Sequence, residues 1–437
     1  MDNFDKKNSS DGSKALTFPA GFLWGAATAA HQVEGGTNND WTQWEKDNAE
    51  RLAKEAAGKW QTWQQEKFPE MLDPENYISG RACDHYNRFE EDFDLAKSLD
   101  HNAHRFSIEW SRIEPEEGKF DEQEIEHYRH VLQALRARGM EPFVTLWHWT
   151  NPLWLEEKGG CESKDFACNF AYYSQYVVSK LGDLVNFWVT INEPTSVISN
   201  AYVSGNWPPQ KKNIFAAQKV YRVLADAHNQ AYVEIKKINQ KFQVGFANIL
   251  HFIEPLNSNS FFDRATAKVF NYFVNRKFLK MTKNNNDFLA AQYYFHSRVK
   301  FPGKIKNDNK IISDMGWEIY PEGIYHILKN LKKYNLPIYV TENGLADVAD
   351  EKRAEFIKNH LIWIHRAIDE GVDVRGYFYW SLLDNFEWDK GFWPRFGLIE
   401  IDYKTLKRKI RPSALEYAKI CKSNEIDPPR VDERLSP

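Results

Sequence analysis

Two glutamates stand where short apolar runs give way to polar residues, Glu193 in TINEP and Glu342 in VTENG. Other runs of the same kind end in groups that could serve them. His31-Gln32 follows the first, His148-Trp149 ends another, Asn192 precedes Glu193, Tyr293-Tyr294 closes a third, and the last enters Trp380 and then Glu387-Trp388. Two carboxyls facing each other across a cleft are what glycosidic bond cleavage requires. One protonates the leaving oxygen while the other attacks, or activates water at, the anomeric carbon. No CxxC pair or Cys/His cluster offers a metal site, and the carboxyls need no metal or organic cofactor.

The elements that must position these residues follow from the hydrophobic pattern. Eight β-rich runs, at 22–28, 103–108, 142–148, 187–193, 243–250, 288–294, 337–343 and 374–381, alternate with long amphipathic stretches. Most are nearly continuous in apolar residues, as strands buried on both faces are. Helix signals lie between them. Residues 121–138 carry acids in the first turn and bases in the last, with Gly139 just beyond, and 351–370 repeats the design before Gly371. The fold class predicted is α/β, a single (β/α)8 barrel of the TIM type spanning 17–425, with long βα loops at its C-terminal face and polar tails at 1–16 and 426–437. Residues 38–76 and 206–213 read as elaborated loops at the barrel mouth.

Composition narrows the function classes. Lys and Arg total 57 against 61 Asp and Glu, a net charge of −4, so the chain as a whole has no basic field for nucleic acid or an anionic membrane. Neither is an expected partner; the expected one is a small-molecule glycoside. The 16 Trp suit a cleft that stacks indoles on sugar faces. Cys83, Cys161, Cys168 and Cys421 read as reduced thiols. Residues 1–16 are polar, with no signal-peptide core, and no apolar run approaches the roughly 18 residues of a membrane span, so a cytoplasmic location is expected. No heptad pattern indicates an oligomeric state.

Taken in order, eight segments resemble glycoside hydrolase family 1, the β-glucosidase and β-galactosidase family. They are FPAGFLWGAATAAHQVEG (18–35), CDHYNRFE (83–90), RFSIEWSR (105–112), VTLWHW (144–149), TINEP (190–194), VTENG (340–344), GYFYWSLLDNFEW (376–388) and RFGLIEIDY (395–403). The resemblance implies a retaining mechanism with Glu193 as general acid/base and Glu342 as nucleophile, their carboxyls about 5 to 5.5 Å apart. It further implies that Arg105 and Tyr294 orient Glu342, and that Asn192 bonds the sugar 2-OH. Gln32, His148, Glu387 and Trp388 would bind the other hydroxyls, and Trp380 would form the stacking floor.

Two departures from the family pattern are visible. Gln292 in AAQYY replaces the usual Asn, which predicts altered hydrogen bonding near Glu193 with neither catalytic glutamate touched. Thr150-Asn151 stands where many members have Asp-Leu. Glu387 would repel a sugar phosphate, favouring an unphosphorylated hexoside, and the nearby Lys390 reads as solvated. Glucose, galactose and fucose remain open at this stage, as do transglycosylation with the same carboxyl pair and a non-catalytic sugar- or partner-binding barrel.

Overall fold

The continuous apolar runs form strands because a parallel sheet covered by helices on one side and by its own closure on the other leaves no wet face. In the computed structural model, which describes residues 15–427, these are β1 (Leu23–Ala27), β2 (Ala103–Ser107), β3 (Glu141–Trp147), β4 (Phe187–Asn192), β5 (Gln243–Pro255), β6 (Leu289–Lys300), β7 (Ile338–Asn343) and β8 (Val374–Trp380). Each pairs in parallel with the next, and β8 pairs with β1, so the sheet closes on itself. Phe143, Phe187, Phe288, Tyr339 and Phe378 fill the barrel interior. Phe143 stacks on Phe187 at 4.2 Å and meets Phe378 at 4.9 Å. This plug closes the barrel from below, and polar chemistry is confined to the C-terminal ends of the strands.

Helix ends follow their local signals. Asp121 caps Glu122–Ala137 by accepting from the Gln123 and Glu124 amides, and Gly139 and Gly371 adopt φ of 69° and 78° where the chain turns back toward a strand. The loop expected at 38–76 is largely helical: Asn39 caps Asp40–Lys59, and Thr62–Lys67 follows. Strands β5 and β6 overrun their apolar runs. They stay paired to Pro255 and Val299, and Lys304–Ile305 folds back antiparallel on β6. The extension was hidden in sequence because HFIEP and FHSRVK mix polar and apolar residues.

Leu16–Thr17 pairs with Glu425–Ile426, and the rest of the two predicted tails, 1–14 and 428–437, lies outside the described residues. Cys83, Cys161 and Cys421 are buried and Cys168 is exposed, none of them bridged. Among the described residues no helix is long and apolar enough to cross a membrane.

Candidate active site

Seven of the eight barrel strands, or the loops that follow them, contribute residues to one polar cluster. A cavity of about 200 Å3 at the barrel mouth is bordered by Gln32, His148, Glu193, Tyr294, Glu342, Trp380, Glu387 and Trp388. Arg105 and Asn192, each 1% exposed, lie behind its wall. All ten residues singled out from sequence thus meet in one place.

Glu342, on β7, is held from both sides. Its Oε1 accepts from Arg105 Nη1 at 2.5 Å and from Gln292 Nε2 at 2.6 Å, and its Oε2 accepts from Tyr294 OH at 2.9 Å. Arg105 reaches across the barrel from β2. Its Nη2 donates to Asn192 Oδ1 at 2.6 Å and its Nε to Thr145 Oγ1 at 3.2 Å, which ties four strands to one guanidinium. Burial raises the Glu342 pKa, while Arg105 and Tyr294 pull it back. Burial and the charges of Glu342 and Glu193 push the Tyr294 phenol well above its ordinary range, so it stays protonated and serves as a donor.

The expectation for Gln292 needs correcting. Its contact is with Glu342 and with Asn192, at 2.9 Å, so one of the two glutamates is directly touched. The register explains this, since Gln292 on β6 is the cross-strand partner of Glu342 on β7.

Glu193 is differently placed. It follows β4 at φ 40°, ψ 62°, a left-handed conformation that costs a non-glycine residue about 1 kcal/mol or more. Trp149 and Trp388 share the strain, at φ 79° and 54°. The Glu193 carboxylate accepts a bond from Ser196 Oγ at 2.7 Å. Burial, then the charge of Glu342, drives its pKa well above the usual carboxyl range. Two neighbouring carboxyls with unequal donor sets thus differ in their affinity for a proton, Glu193 holding it more strongly.

The opposite wall is lined by polar side chains and indoles. Gln32 Nε2 donates to the Phe386 carbonyl at 2.7 Å and Asn385 Oδ1 at 2.8 Å, and lies 3.2 Å from Glu387 Oε2. His148 Nε2 lies 3.0 Å from Asn192 Nδ2. Burial, with Arg105 and His31 nearby, keeps this imidazole neutral. With Nε2 accepting from the amide, Nδ1 carries the proton. His148 Nδ1 and Gln32 Oε1 are buried without a partner within the protein; such atoms carry a desolvation cost that a ligand's hydroxyls relieve. Burial lifts the Glu387 pKa to about 8, with Lys390 acting in the opposite sense. The His148 ring lies roughly parallel to the rings of Trp380 and Trp388, about 6 Å from each. Gly344 is required beneath them, because a Cβ there would stand 1.8 Å from the Trp380 carbonyl oxygen.

Of the other residues at the opening, Trp149 ends the β3 run and Trp207 lies in the loop expected at 206–213, whereas Phe295 and Trp317 carried no sequence signal. Trp149 donates to the Asn192 carbonyl at 2.9 Å and packs against Trp207 and Trp388. Lys390, read as solvated, pairs with the buried Asp389 at 2.5 Å. Thr150 donates to Glu109 and Asn151 to Glu156, which anchors the loop after β3.

Comparison with known proteins agrees with this geometry. The sequence profile described as glycosyl hydrolase family 1 matches residues 14–292 and 270–426. Beta-glucosidase A of Thermotoga maritima is 33% identical over 94% of this chain and 99% of its own length. A solved beta-glycosidase from Pyrococcus horikoshii superposes with a TM-score of 0.84 at 38% identity, covering 95% of this chain and 97% of that one. The Thermotoga maritima beta-glucosidase in complex with castanospermine also gives 0.84, at 31% identity, covering 94% and 100%. By profile, relatives and fold alike, this chain belongs to glycosyl hydrolase family 1 and is a β-glycoside hydrolase.

Proposed function

We propose that the enzyme removes terminal nonreducing β-D-glucosyl, or galactosyl or fucosyl, residues with retention, through a covalent glycosyl-enzyme. The observation that carries this reading is the asymmetry between the two carboxyls. Glu342 is surrounded by Arg105, Gln292 and Tyr294, donors that favour a carboxylate, whereas Glu193 has a single hydroxyl donor and the repulsion of Glu342. Glu342 is then the nucleophile and Glu193 the acid.

In the first step a Glu342 oxygen bonds to the anomeric carbon, the glycosidic C–O bond breaks, and the Glu193 proton passes to the departing alcohol oxygen. Esterification removes the Glu342 charge, which lets Glu193 remain ionised. In the second step Glu193 takes a proton from water, the water oxygen bonds to the anomeric carbon, and Glu342 leaves as a carboxylate held by its three donors. Asn192 serves the 2-OH, and the unpartnered polar atoms of His148 and Gln32, with Glu387 and the indole of Trp388, receive the remaining hydroxyls over the Trp380 floor. A phosphate dianion beside the half-buried Glu387 is disfavoured because it would lose its hydration there, and Lys390, the nearby cation, is already paired with Asp389.

Release of 4-nitrophenol from the β-glucoside, β-galactoside, β-fucoside and 6-phospho-β-glucoside tests the reading. Turnover of the unphosphorylated substrates is expected, nearly abolished in Glu342→Gln and reduced about 10²- to 10⁴-fold in Glu193→Gln. A 2-deoxy-2-fluoroglucoside with a good leaving group should add one fluoroglucosyl mass to the wild type and none to Glu342→Gln. Labelling at another residue, or turnover of the phosphosugar alone, would overturn the proposal.

A further inference from the structure

The net charge of −4 conceals one segment of opposite character. Where β5 and β6 leave the barrel they carry a tip made of the hairpin around Phe301 and the helix Phe261–Asn271. Asp263 clamps the two together, accepting from the Phe301 amide at 3.0 Å and the Asn257 amide at 3.2 Å. Five large apolar side chains face solvent on this tip: Phe261 at 69%, Phe262 at 61%, Phe301 at 55%, Val269 at 53% and Ile305 at 51% exposure. The three phenylalanines are contiguous, with the Phe262 ring 5.4 Å from Phe301 and 5.7 Å from Phe261.

Arg264, Lys268, Lys300, Lys304 and Lys306 lie on the same segments, all exposed. Among the described residues none of the five pairs with a carboxylate, whereas Arg298 on the same ribbon meets both Glu254 and Asp308. The arrangement is unfavourable in isolation. Lys300 lies directly across the ribbon from Lys304, and Arg264 and Lys268 are four apart on one helix; like charges so placed repel. An anionic surface covering the tip would remove both penalties. A second copy of the chain would worsen them, since a symmetric contact sets the same cations against each other.

We infer that this tip docks on an anionic lipid bilayer, Phe261, Phe262, Phe301 and Ile305 entering the headgroup layer while the five cations meet lipid phosphates. Ile249 and Phe295, on the same two strands, border the cavity. At about 3.3 Å per residue the tip stands roughly 15–20 Å beyond it, on the same end of the barrel. The docked enzyme would open its pocket beside the membrane surface, within reach of β-glycosides with lipid aglycones.

Co-sedimentation of the full-length enzyme with phosphatidylcholine vesicles, with or without half phosphatidylglycerol, tests this. Binding is expected only to the anionic vesicles at 0.05 M NaCl and is weakened at 0.5 M. Lysine contacts contribute roughly fivefold each and a glutamate adds repulsion, so Lys300→Glu/Lys304→Glu/Lys306→Glu should lower partitioning by at least about 100-fold, and Lys304→Glu alone by at least about fivefold. Phe262→Ser/Phe301→Ser should remove the salt-resistant fraction. Turnover of the soluble nitrophenyl glycoside should be unchanged in each variant and certifies folding. No binding to anionic vesicles at low salt, equal binding by wild type and Lys304→Glu, or a dimer that Phe262→Ser/Phe301→Ser dissociates would each overturn the inference.

Discussion

Tyr294→Phe isolates one interaction of the proposed nucleophile. The substitution deletes a hydroxyl 2.9 Å from Glu342 Oε2 and keeps the ring, with its contacts to Phe295 and Trp317 at 6.2 and 6.1 Å. A hydrogen bond to a charged group contributes about 1.5–3 kcal/mol, so losing it should reduce kcat/KM by roughly 10- to 100-fold. The sign of the pH effect follows from which form the bond favours. Tyr294 donates to the ionised carboxylate and lowers its pKa; without it Glu342 holds its proton to higher pH. The acid limb of the kcat/KM profile should therefore move to higher pH, while the basic limb, set by Glu193, moves less. Because Glu342 also departs as a carboxylate in the second step, kcat should fall as well. The assay is 4-nitrophenyl β-glucoside hydrolysis across pH 4 to 9, with thermal unfolding as a control expected within about 1 kcal/mol of wild type. A variant with kcat/KM within threefold of wild type and an unmoved acid limb would refute the assignment of Glu342 as a nucleophile held ionised by these donors.

Gln292→Asn shortens the side chain by one methylene and withdraws its amide from Glu342 Oε1; kcat/KM should drop by about tenfold, with KM nearly unchanged, in steady-state kinetics. Glu387, lifted to about 8 by burial, keeps in the folded state a proton that the unfolded chain releases above roughly pH 4.3. Its contribution to stability is therefore lost as pH rises toward 8, by about 1.4 kcal/mol for each pH unit, and urea titrations at pH 5 to 8 should show a flatter decline for Glu387→Gln. Gly344→Ala sets a Cβ 1.8 Å from the Trp380 carbonyl oxygen; a stability loss of about 3 kcal/mol or more should appear in thermal unfolding, together with inactivity.

The sequence by itself determined the barrel and the positions of its polar residues. A strand buried on both faces must be apolar nearly throughout, so eight such runs are legible one at a time, and a polar residue ending one of them marks the C-terminal face. The caps at Asp121, Gly139 and Gly371 are equally local. Contacts between strands are another matter. That Arg105 reaches Glu342 and Asn192 together depends on closure of the sheet, and that Gln292 touches Glu342 rather than Glu193 depends on the register of β6 against β7. The Trp149, Trp207 and Trp317 wall is assembled from three separate loops with no shared pattern. The cationic tip vanished into the chain's net charge because summing discards position, and only the overrun of β5 and β6, sustained by backbone pairing rather than by apolar side chains, carries those residues out together. Local pattern sets which face a residue lies on, whereas the side chain it meets there is decided by tertiary packing.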